Sequence, residues 1–259
     1  MATKEKLRNP EWLAKQLKVH SFRSVARELG VSPTVVWKQA RQLGLKSRFP
    51  VRKPLHCELT SDLREILDGL LLGGGSLIAK VPGAAYFTQT SRYKEFLRWI
   101  SKILVSHGIE QKGIICKMAH KGPNANSWRY ASKTYFEFYD IYQRWYSHGK
   151  KQPPEDLVLT SKVAFLWYLR GGYLEVDRRC SPRKRPHIRI KFSVGRFVAK
   201  HRQFLAQLLQ VHCGIRAIVY GTKIIIPQDS VGVFFSHIGP CPKELQHIFG
   251  HKWILTLPR

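Results

Sequence analysis

Apolar residues recur at helical spacing in the first part of the chain, and small polar residues and glycines separate the runs. Gly30 is placed to end one helix in the left-handed conformation that glycine tolerates. Ser32 can cap the next helix, with Pro33 at its first position. The pattern predicts three short helices, at residues 11–18, 22–29 and 33–43. We therefore expect a small all-α domain at residues 1–46.

A longer pattern occurs twice from about residue 60 onwards: an apolar helix runs into glycines and then into a strand. The copies cover Leu67–Leu77 and Ala164–Leu174. Each is followed by strand-like segments, an amphipathic helix, two short strands and a closing helix. The amphipathic helices are predicted at 93–105 and 197–211, the short strands at 113–118, 128–131, 216–220 and 223–226, and the closing helices at 135–146 and 230–238. The pattern predicts an α+β domain with two similar halves, 60–156 and 157–259.

The clearest predicted strand alternates strictly between basic and apolar side chains. His187, Arg189 and Lys191 share one face, and the opposite face is apolar. The apolar face would pack on helices and the cationic face would meet DNA, although ordinary solvated charges are the alternative. The loop before this strand would reach flanking phosphates, and its basic residues include Arg178, Arg183, Lys184 and Arg185. In the first half, the weaker counterpart at 86–89 offers Gln89 as a reader of base edges.

The charge balance is extreme for a chain with a normal core-forming composition. Its 259 residues are 44% hydrophobic, and 44 Lys and Arg against 17 Asp and Glu give a formal net charge of +27. Such a chain repels itself, so a polyanionic partner is expected. No apolar run is long enough to span a membrane, and residues 1–23 lack a secretory signal. Five widely separated cysteines argue against a zinc ribbon and a disulfide framework.

Residues 25–32 resemble the turn region of a helix-turn-helix. The resemblance implies that the third helix enters the major groove and that its N-terminal half contacts base edges. The candidate contact residues are Ser32, Thr34, Trp37, Lys38 and Arg41, and the expected buried residues are Val35, Val36 and Leu43. A helical bundle used for protein contacts is the alternative. Prolines and basic residues then predict a linker over residues 47–59.

The two glycine-ended helices resemble the signature helices of the LAGLIDADG homing endonucleases. In that family a catalytic Asp stands immediately before the second Gly of the motif, and here Gly74 and Gly171 occupy that position. The resemblance implies a pseudo-twofold αββαββα repeat whose two antiparallel sheets form a saddle over the DNA major groove. It also implies that Gly69 and Gly73, four residues apart, let the two signature helices pack closely.

In this family the two aspartates hold Mg²⁺ at the scissile phosphates, where the metal activates water. A glycine offers only its backbone carbonyl. Asp68 lies more than a turn upstream, and the acids at Glu175 and Asp177 have no counterpart after Gly74. Lys223 lies where the family often has a basic residue near the cleavage centre. The resemblance, with both aspartates replaced, therefore implies a DNA saddle without cleavage chemistry.

We therefore expect a monomeric, sequence-specific double-stranded DNA-binding protein that derives from a homing endonuclease, needs no cofactor and acts in regulation. Its expected location is intracellular and DNA-associated, in a bacterial nucleoid or an organelle. One alternative is an intron splicing maturase that binds structured RNA, which the helix-turn-helix disfavours because the deep groove of A-form RNA is closed to side chains. The other is a functional endonuclease with a rearranged metal site, which would require Mg²⁺.

Overall fold

The computed structural model describes residues 3–45, 53–118, 126–177 and 187–253. The chain divides into two compact units, residues 1–53 and 54–259. Several predicted features lie outside the described residues: residues 47–52 of the basic linker, and the loop residues Arg178, Arg183, Lys184 and Arg185. In the part of the chain that the structure describes, no helix is long and apolar enough to cross a membrane.

The N-terminal unit is helical. Its elements are α1 (Thr3–Arg8), α2 (Pro10–Val19), α3 (Phe22–Glu28) and α4 (Pro33–Gln42). The three predicted helices lie within one residue of their expected ends, and α1 was not predicted. Asn9 caps α2 by accepting a hydrogen bond from Trp12 N at 3.0 Å. The buried core of the unit is apolar and includes Leu13, Leu17, Val25, Val36 and Ala40.

The turn between α3 and α4 has the left-handed glycine and the serine cap that the sequence predicts. Gly30 has a φ of +66°, and the Ser32 hydroxyl accepts a hydrogen bond from Val35 N at 3.4 Å. The prediction that Val35 is buried was wrong, because its residue surface is 46% exposed. Val36 and Ala40, four residues apart, form the buried side instead. The helix-turn-helix interpretation stays a prediction.

The second unit has the predicted α+β architecture. Its first half contains α5 (Ser61–Leu72), β1 (Ser76–Val81), β2 (Ala84–Ser91), α6 (Lys94–Ser106), β3 (Cys116–Lys117), β4 (Trp128–Ala131), α7 (Glu137–Trp145), and the small strands β5 (Tyr146–Ser147) and β6 (Lys150–Lys151). Its second half contains α8 (Ser161–Gly171), β7 (Gly172–Asp177), β8 (His187–Ser193), α9 (Ala199–Cys213), β9 (Ile218–Tyr220), β10 (Lys223–Ile226), α10 (Gln228–Ile238) and α11 (Gln246–Phe249). The αββαββα order is therefore confirmed in both halves.

Each half builds one four-stranded antiparallel sheet. The strand orders are β1-β2-β4-β3 and β7-β8-β10-β9, which are the same order in the two halves. One face of each sheet packs against helices and carries fully buried residues such as Phe87 in the first and Ile190, Phe192 and Ile224 in the second. The opposite face of each sheet, called the open face below, carries polar side chains such as Thr88 in the first sheet and Arg189 in the second.

The predicted linker is shorter than expected on its C-terminal side. Residues 54–59 belong to the second unit, because Leu55 N donates to the carbonyl of Thr134 at 2.8 Å and Phe136 N donates to the carbonyl of Leu55 at 3.1 Å. The Glu137 carboxylate also accepts a hydrogen bond from Cys57 N at 3.0 Å. These backbone partners fix a segment that composition alone presents as a tether.

The two signature helices, α5 and α8, form the seam between the halves. A Cβ added to Gly69 would stand 2.7 Å from Leu166 Cβ, and one added to Gly73 would stand 3.1 Å from Arg170 Cβ. The predicted close approach is confirmed. Leu166 and Arg170, which replace small residues of the motif, are accommodated because each faces a glycine of the other helix.

Candidate nucleic-acid interface

The end of α5 brings Gly74 beside an arginine of the other half. Gly74 has a φ of +107°, which L side chains rarely adopt. A Cβ at this position would stand 3.1 Å from Nη2 and 3.2 Å from Nη1 of Arg196, which lies in the connection between β8 and α9. Arg196 is exposed, and among the described residues no oxygen accepts a hydrogen bond from it. A guanidinium group therefore lies where the motif would place a carboxylate.

The end of α8 has a different environment. A Cβ at Gly171 would stand 3.2 Å from Cδ1 and 3.3 Å from Nε1 of Trp167. Trp167 is fully buried, and its Nε1 has no hydrogen-bond partner within the described ranges. The neighbouring Arg170 extends towards the first half, where its Nη2 donates to the carbonyl of Thr90 at 3.4 Å.

A polar cavity of about 430 Å³ opens beside this second helix end. Its basic residues are Arg92, Arg170, His251 and Lys252, and its remaining lining is Thr90, Ser91, Tyr93, Ser127 and Phe249. Reduced hydration, followed by the charges of Arg196 and Arg92, lowers the pKa of Arg170. Because an arginine remains protonated even so, the cavity stays cationic at any physiological pH.

At the C-terminal end of each signature helix, a lysine from elsewhere in the chain donates hydrogen bonds to backbone carbonyl groups. Lys151 Nζ donates to the carbonyl oxygens of Leu71 and Gly75, at 2.6 and 2.5 Å. Lys252 Nζ donates to three carbonyl oxygens at the corresponding end of α8, those of Tyr168, Leu169 and Gly172, at 3.5, 2.9 and 2.6 Å. Burial, followed by the charge of Arg170, lowers the pKa of Lys252 to about 8, and burial also lowers the pKa of Lys151 well below its ordinary value. The two lysines cap the negative ends of both helix dipoles.

The residues at the two helix ends do not fit a Mg²⁺ site. This ion prefers carboxylate, phosphate and water oxygens, whereas a Cβ at Gly74 would meet the Arg196 guanidinium and one at Gly171 would meet the Trp167 ring. Asp68 cannot substitute, because it is 4% exposed and accepts hydrogen bonds from Arg144 at 2.8 Å and from Trp145 Nε1 at 2.7 Å. Over the described ranges, no group of three His, Cys, Asp or Glu side chains could hold a metal ion.

The open face of the second sheet carries the basic residues that the alternation predicted. The strand register places His187, Arg189 and Lys191 on that face together with Lys223. Glu175 lies among them and accepts hydrogen bonds from Arg189 and from Lys191, the latter at 2.6 Å. The hydrogen bond from Lys191 keeps the pKa of Glu175 below its ordinary value, so part of the positive charge on this face is neutralised. As DNA contacts these residues stay predictions.

The open face of the first sheet differs from the prediction. Gln89 is 2% exposed and pairs across the strands with the fully buried Tyr130, so it lies on the core face. The expectation that Gln89 reads a base edge is therefore incompatible with its burial. Thr88 takes the open face instead, where its Oγ1 accepts a hydrogen bond from Arg129 Nε at 3.0 Å, and Arg129 also reaches the Tyr86 hydroxyl at 3.5 Å.

In the N-terminal unit, the candidate residues lie on the exposed side of α4. This holds for Ser32, Thr34, Trp37, Lys38 and Arg41. The Arg41 guanidinium lies 5.5 Å from the centre of the Trp37 ring, which is 45% exposed. The surface therefore combines cations with an aromatic side chain, and its contact with DNA stays a prediction.

A family model described as the LAGLIDADG DNA endonuclease family matches residues 64–223 of the chain. The match includes both signature helices and both sheets up to the start of β10. This chain belongs to the LAGLIDADG DNA endonuclease family. An uncharacterized protein of Methanocaldococcus jannaschii, MJ1098, is 27% identical over 158 residues, which cover 60% of this chain and 58% of that protein. The chain thus matches less than two thirds of that relative's length.

A solved homing endonuclease shares the fold of this chain at low sequence identity. The homing endonuclease I-WcaI, bound to its DNA recognition sequence, superposes with a TM-score of 0.59 and 15% identity, covering 85% of this chain and 95% of that one. Full-length DUF199/WhiA from Thermatoga maritima gives a TM-score of 0.39 at 15% identity, over 73% of this chain and 60% of that one. The first of these likenesses supports the LAGLIDADG fold.

Relative to the LAGLIDADG motif, sequence reasoning missed the basic residues that surround Gly74 and Gly171. Arg92 and Arg196 both follow the second strand of their half, and Lys151 and Lys252 follow Gly74 and Gly171 at similar separations along the chain. That repeated spacing was the available signal. It is weak by itself, because a chain with 44 Lys and Arg offers many such coincidences.

Proposed function

We propose that this chain binds double-stranded DNA in a sequence-specific manner and does not cleave it. Family membership and the duplicated sheets support a DNA-binding saddle, and I-WcaI, which has the same fold, is bound to its DNA recognition sequence. The observation that carries the proposal is the Arg196 guanidinium beside Gly74. It favours a phosphate group at a place where cleaving relatives need a metal ion.

The absence of cleavage follows from the chemistry of phosphodiester hydrolysis. The reaction needs a metal-activated water and stabilisation of charge on the phosphate. Arg196 supplies a positive charge but cannot lower the pKa of a bound water as a metal does. The acids nearest in sequence, Asp68 and Glu175, are occupied by arginine and lysine partners.

The N-terminal unit supports a regulatory role. Its exposed face on α4 would read a second DNA segment adjacent to the one under the saddle, and the tether would raise the affinity through effective concentration. Since both halves of the saddle lie in one chain, a monomer would suffice to cover the site. The protein would then act as a DNA-associated regulator of a gene near its target sequence.

Selection of bound duplexes from a random pool, followed by shift assays with the selected site, tests the proposal. We expect a preferred sequence, similar affinity in EDTA and in Mg²⁺, and no linear product from a supercoiled plasmid that carries the site. Weak binding without a preferred sequence would contradict it. Preferential competition by structured intron RNA would support the maturase alternative, and a linear product in Mg²⁺ or Mn²⁺ would support the nuclease.

A further inference from the structure

Two clusters of basic side chains flank the seam, one beside each glycine that replaces a catalytic Asp. The first cationic centre lies beside Gly74 and consists of Arg196 and Lys151. The second cationic centre lies beside Gly171 and consists of Arg92, Arg170 and Lys252. The clusters follow the pseudo-twofold organisation of the unit, since each contains one Arg from a strand-to-helix connection and one Lys that caps a signature helix.

In the first centre, no oxygen of the described residues accepts a hydrogen bond from the Arg196 guanidinium. Both terminal nitrogens of Arg196 are nearly equidistant from the position of a Cβ at Gly74, at 3.1 and 3.2 Å. Lys151 Nζ is occupied by two carbonyl oxygens, so it offers no further contact to a ligand. The planar fork of an arginine matches two oxygens of a phosphate group.

The second centre adds a cavity. The cavity of about 430 Å³ is large enough for a phosphodiester, and no carboxylate is among the described residues that line it. The hydroxyls of Ser91 and Ser127 also line the cavity and can donate hydrogen bonds to phosphate oxygens.

The charge of the two centres also points to an anion. The centres hold five basic side chains, three of which are arginines, and in the described ranges the acids nearest to the motif are paired elsewhere. Burial, and after it the nearby like charges, lowers the pKa values of Arg170 and Lys252, and like charges at close range oppose one another. A bound polyanion would remove this repulsion and release counterions from its own phosphates.

We propose that each cationic centre receives one phosphate group of the DNA backbone, so that Arg196 and Arg170 hold the central phosphates where cleaving relatives use divalent metal. This inference rests on the proposed binding of double-stranded DNA. The central contacts are then independent of Mg²⁺, and each arginine accounts for about one released counterion.

Shift assays with a duplex of random sequence test the inference, because phosphate contacts need no particular sequence. The full chain is compared with Arg196→Gln and Arg170→Gln, and with Arg64→Gln as a matched control on the exposed first turn of α5, at the opposite end from Gly74. In EDTA we expect each central variant to bind about tenfold more weakly than the wild type, because a charged hydrogen-bond pair is lost. The slope of log affinity against log salt should fall by about one for each.

Arg64→Gln should retain the wild-type affinity and salt slope, and circular dichroism verifies that all variants are folded. Arg196→Lys should recover the salt slope but not the full affinity, because it keeps the charge and loses the fork. Central variants that bind like Arg64→Gln would overturn the inference and leave the proposed DNA binding intact. Wild-type binding that requires Mg²⁺ would also overturn it. If the wild-type protein binds no duplex at all, the proposed function itself is refuted. The wild-type measurement alone decides this, without the variants.

Discussion

The close contact between the signature helices makes Gly69 the most sensitive glycine of the seam. In Gly69→Ala the new Cβ would stand 2.7 Å from Leu166 Cβ and 2.9 Å from the Val163 carbonyl oxygen, both shorter than ordinary contacts. Overpacking of this kind costs about 1–3 kcal/mol. The higher helix propensity of alanine relative to glycine offsets about 1 kcal/mol of this cost. We therefore expect a net loss of up to about 2 kcal/mol in the free energy of unfolding of the second unit.

Gly232 is a matched control, because it also lies inside a helix and a Cβ there would meet nothing within 4 Å. Gly232→Ala should raise the free energy of unfolding by about 0.5–1 kcal/mol through helix propensity alone. The two substitutions are chemically identical and are expected to have opposite signs. Their difference isolates the contact between α5 and α8.

Combining Gly69→Ala with Leu166→Gly tests which atoms cause the loss. Removing the Leu166 side chain relieves the 2.7 Å contact but not the contact with the Val163 carbonyl. The double variant should therefore be more stable than the sum of the single effects by about 1 kcal/mol. Urea unfolding followed by tryptophan fluorescence gives the free energy of unfolding of the wild type, the two single variants and the double variant. A stabilising Gly69→Ala, or strictly additive effects, would refute the close packing of the seam.

Three further predictions concern single contacts. Asp68→Asn should lower the free energy of unfolding by about 3 kcal/mol, because it weakens a buried ion pair with Arg144. Asp156→Asn removes the exposed partner of the same guanidinium and should lower it by under about 1 kcal/mol. Lys252 has a pKa of about 8 in the folded protein, against an ordinary value of 10.5. Between these two pH values the unfolded chain binds more protons than the folded protein, so the free energy of unfolding rises with pH. Relative to Lys252→Met, wild-type stability should therefore increase by about 2 kcal/mol from about pH 7.5 to about pH 10; a flat difference would contradict this. Ser32→Ala should destabilise α4 by about 1 kcal/mol, seen as faster amide hydrogen exchange in its first turn.

The order of elements was predictable because it depends on local patterns. Glycine-ended helices and strict alternation at residues 187–192 fix both the type of element and the face it buries. The segment at 86–89 gives no such alternation, since six consecutive residues of β2 are buried. Gln89 was therefore assigned to the wrong face. Only the pairing with Tyr130 on the neighbouring strand shows which way it points.

The centre of the seam was not predictable for a different reason. Arg196 approaches Gly74 from far along the chain, and Glu175 neutralises Lys191 across a strand pair. Neither contact leaves a periodic signal, because both depend on how two halves or two strands are placed in space. Composition shows that the chain is basic, but it does not show that cations gather at the position of the missing acids.

Gly74 and Gly171, which occupy the positions of the aspartates in the LAGLIDADG motif, are not equivalent, and this bears on whether a metal site could be introduced there. Gly171 belongs to α8 and has a helical backbone, so an Asp there would need no change in backbone conformation. Gly74 has a φ of +107°, where an Asp would cost about 1–3 kcal/mol in strain. Its carboxylate would also stand against Arg196 and form an ion pair instead of binding Mg²⁺. Substituting Asp for both Gly74 and Gly171 would therefore not build a metal site while Arg196 remains. The arginine of the other half already supplies the positive charge that the metal would bring.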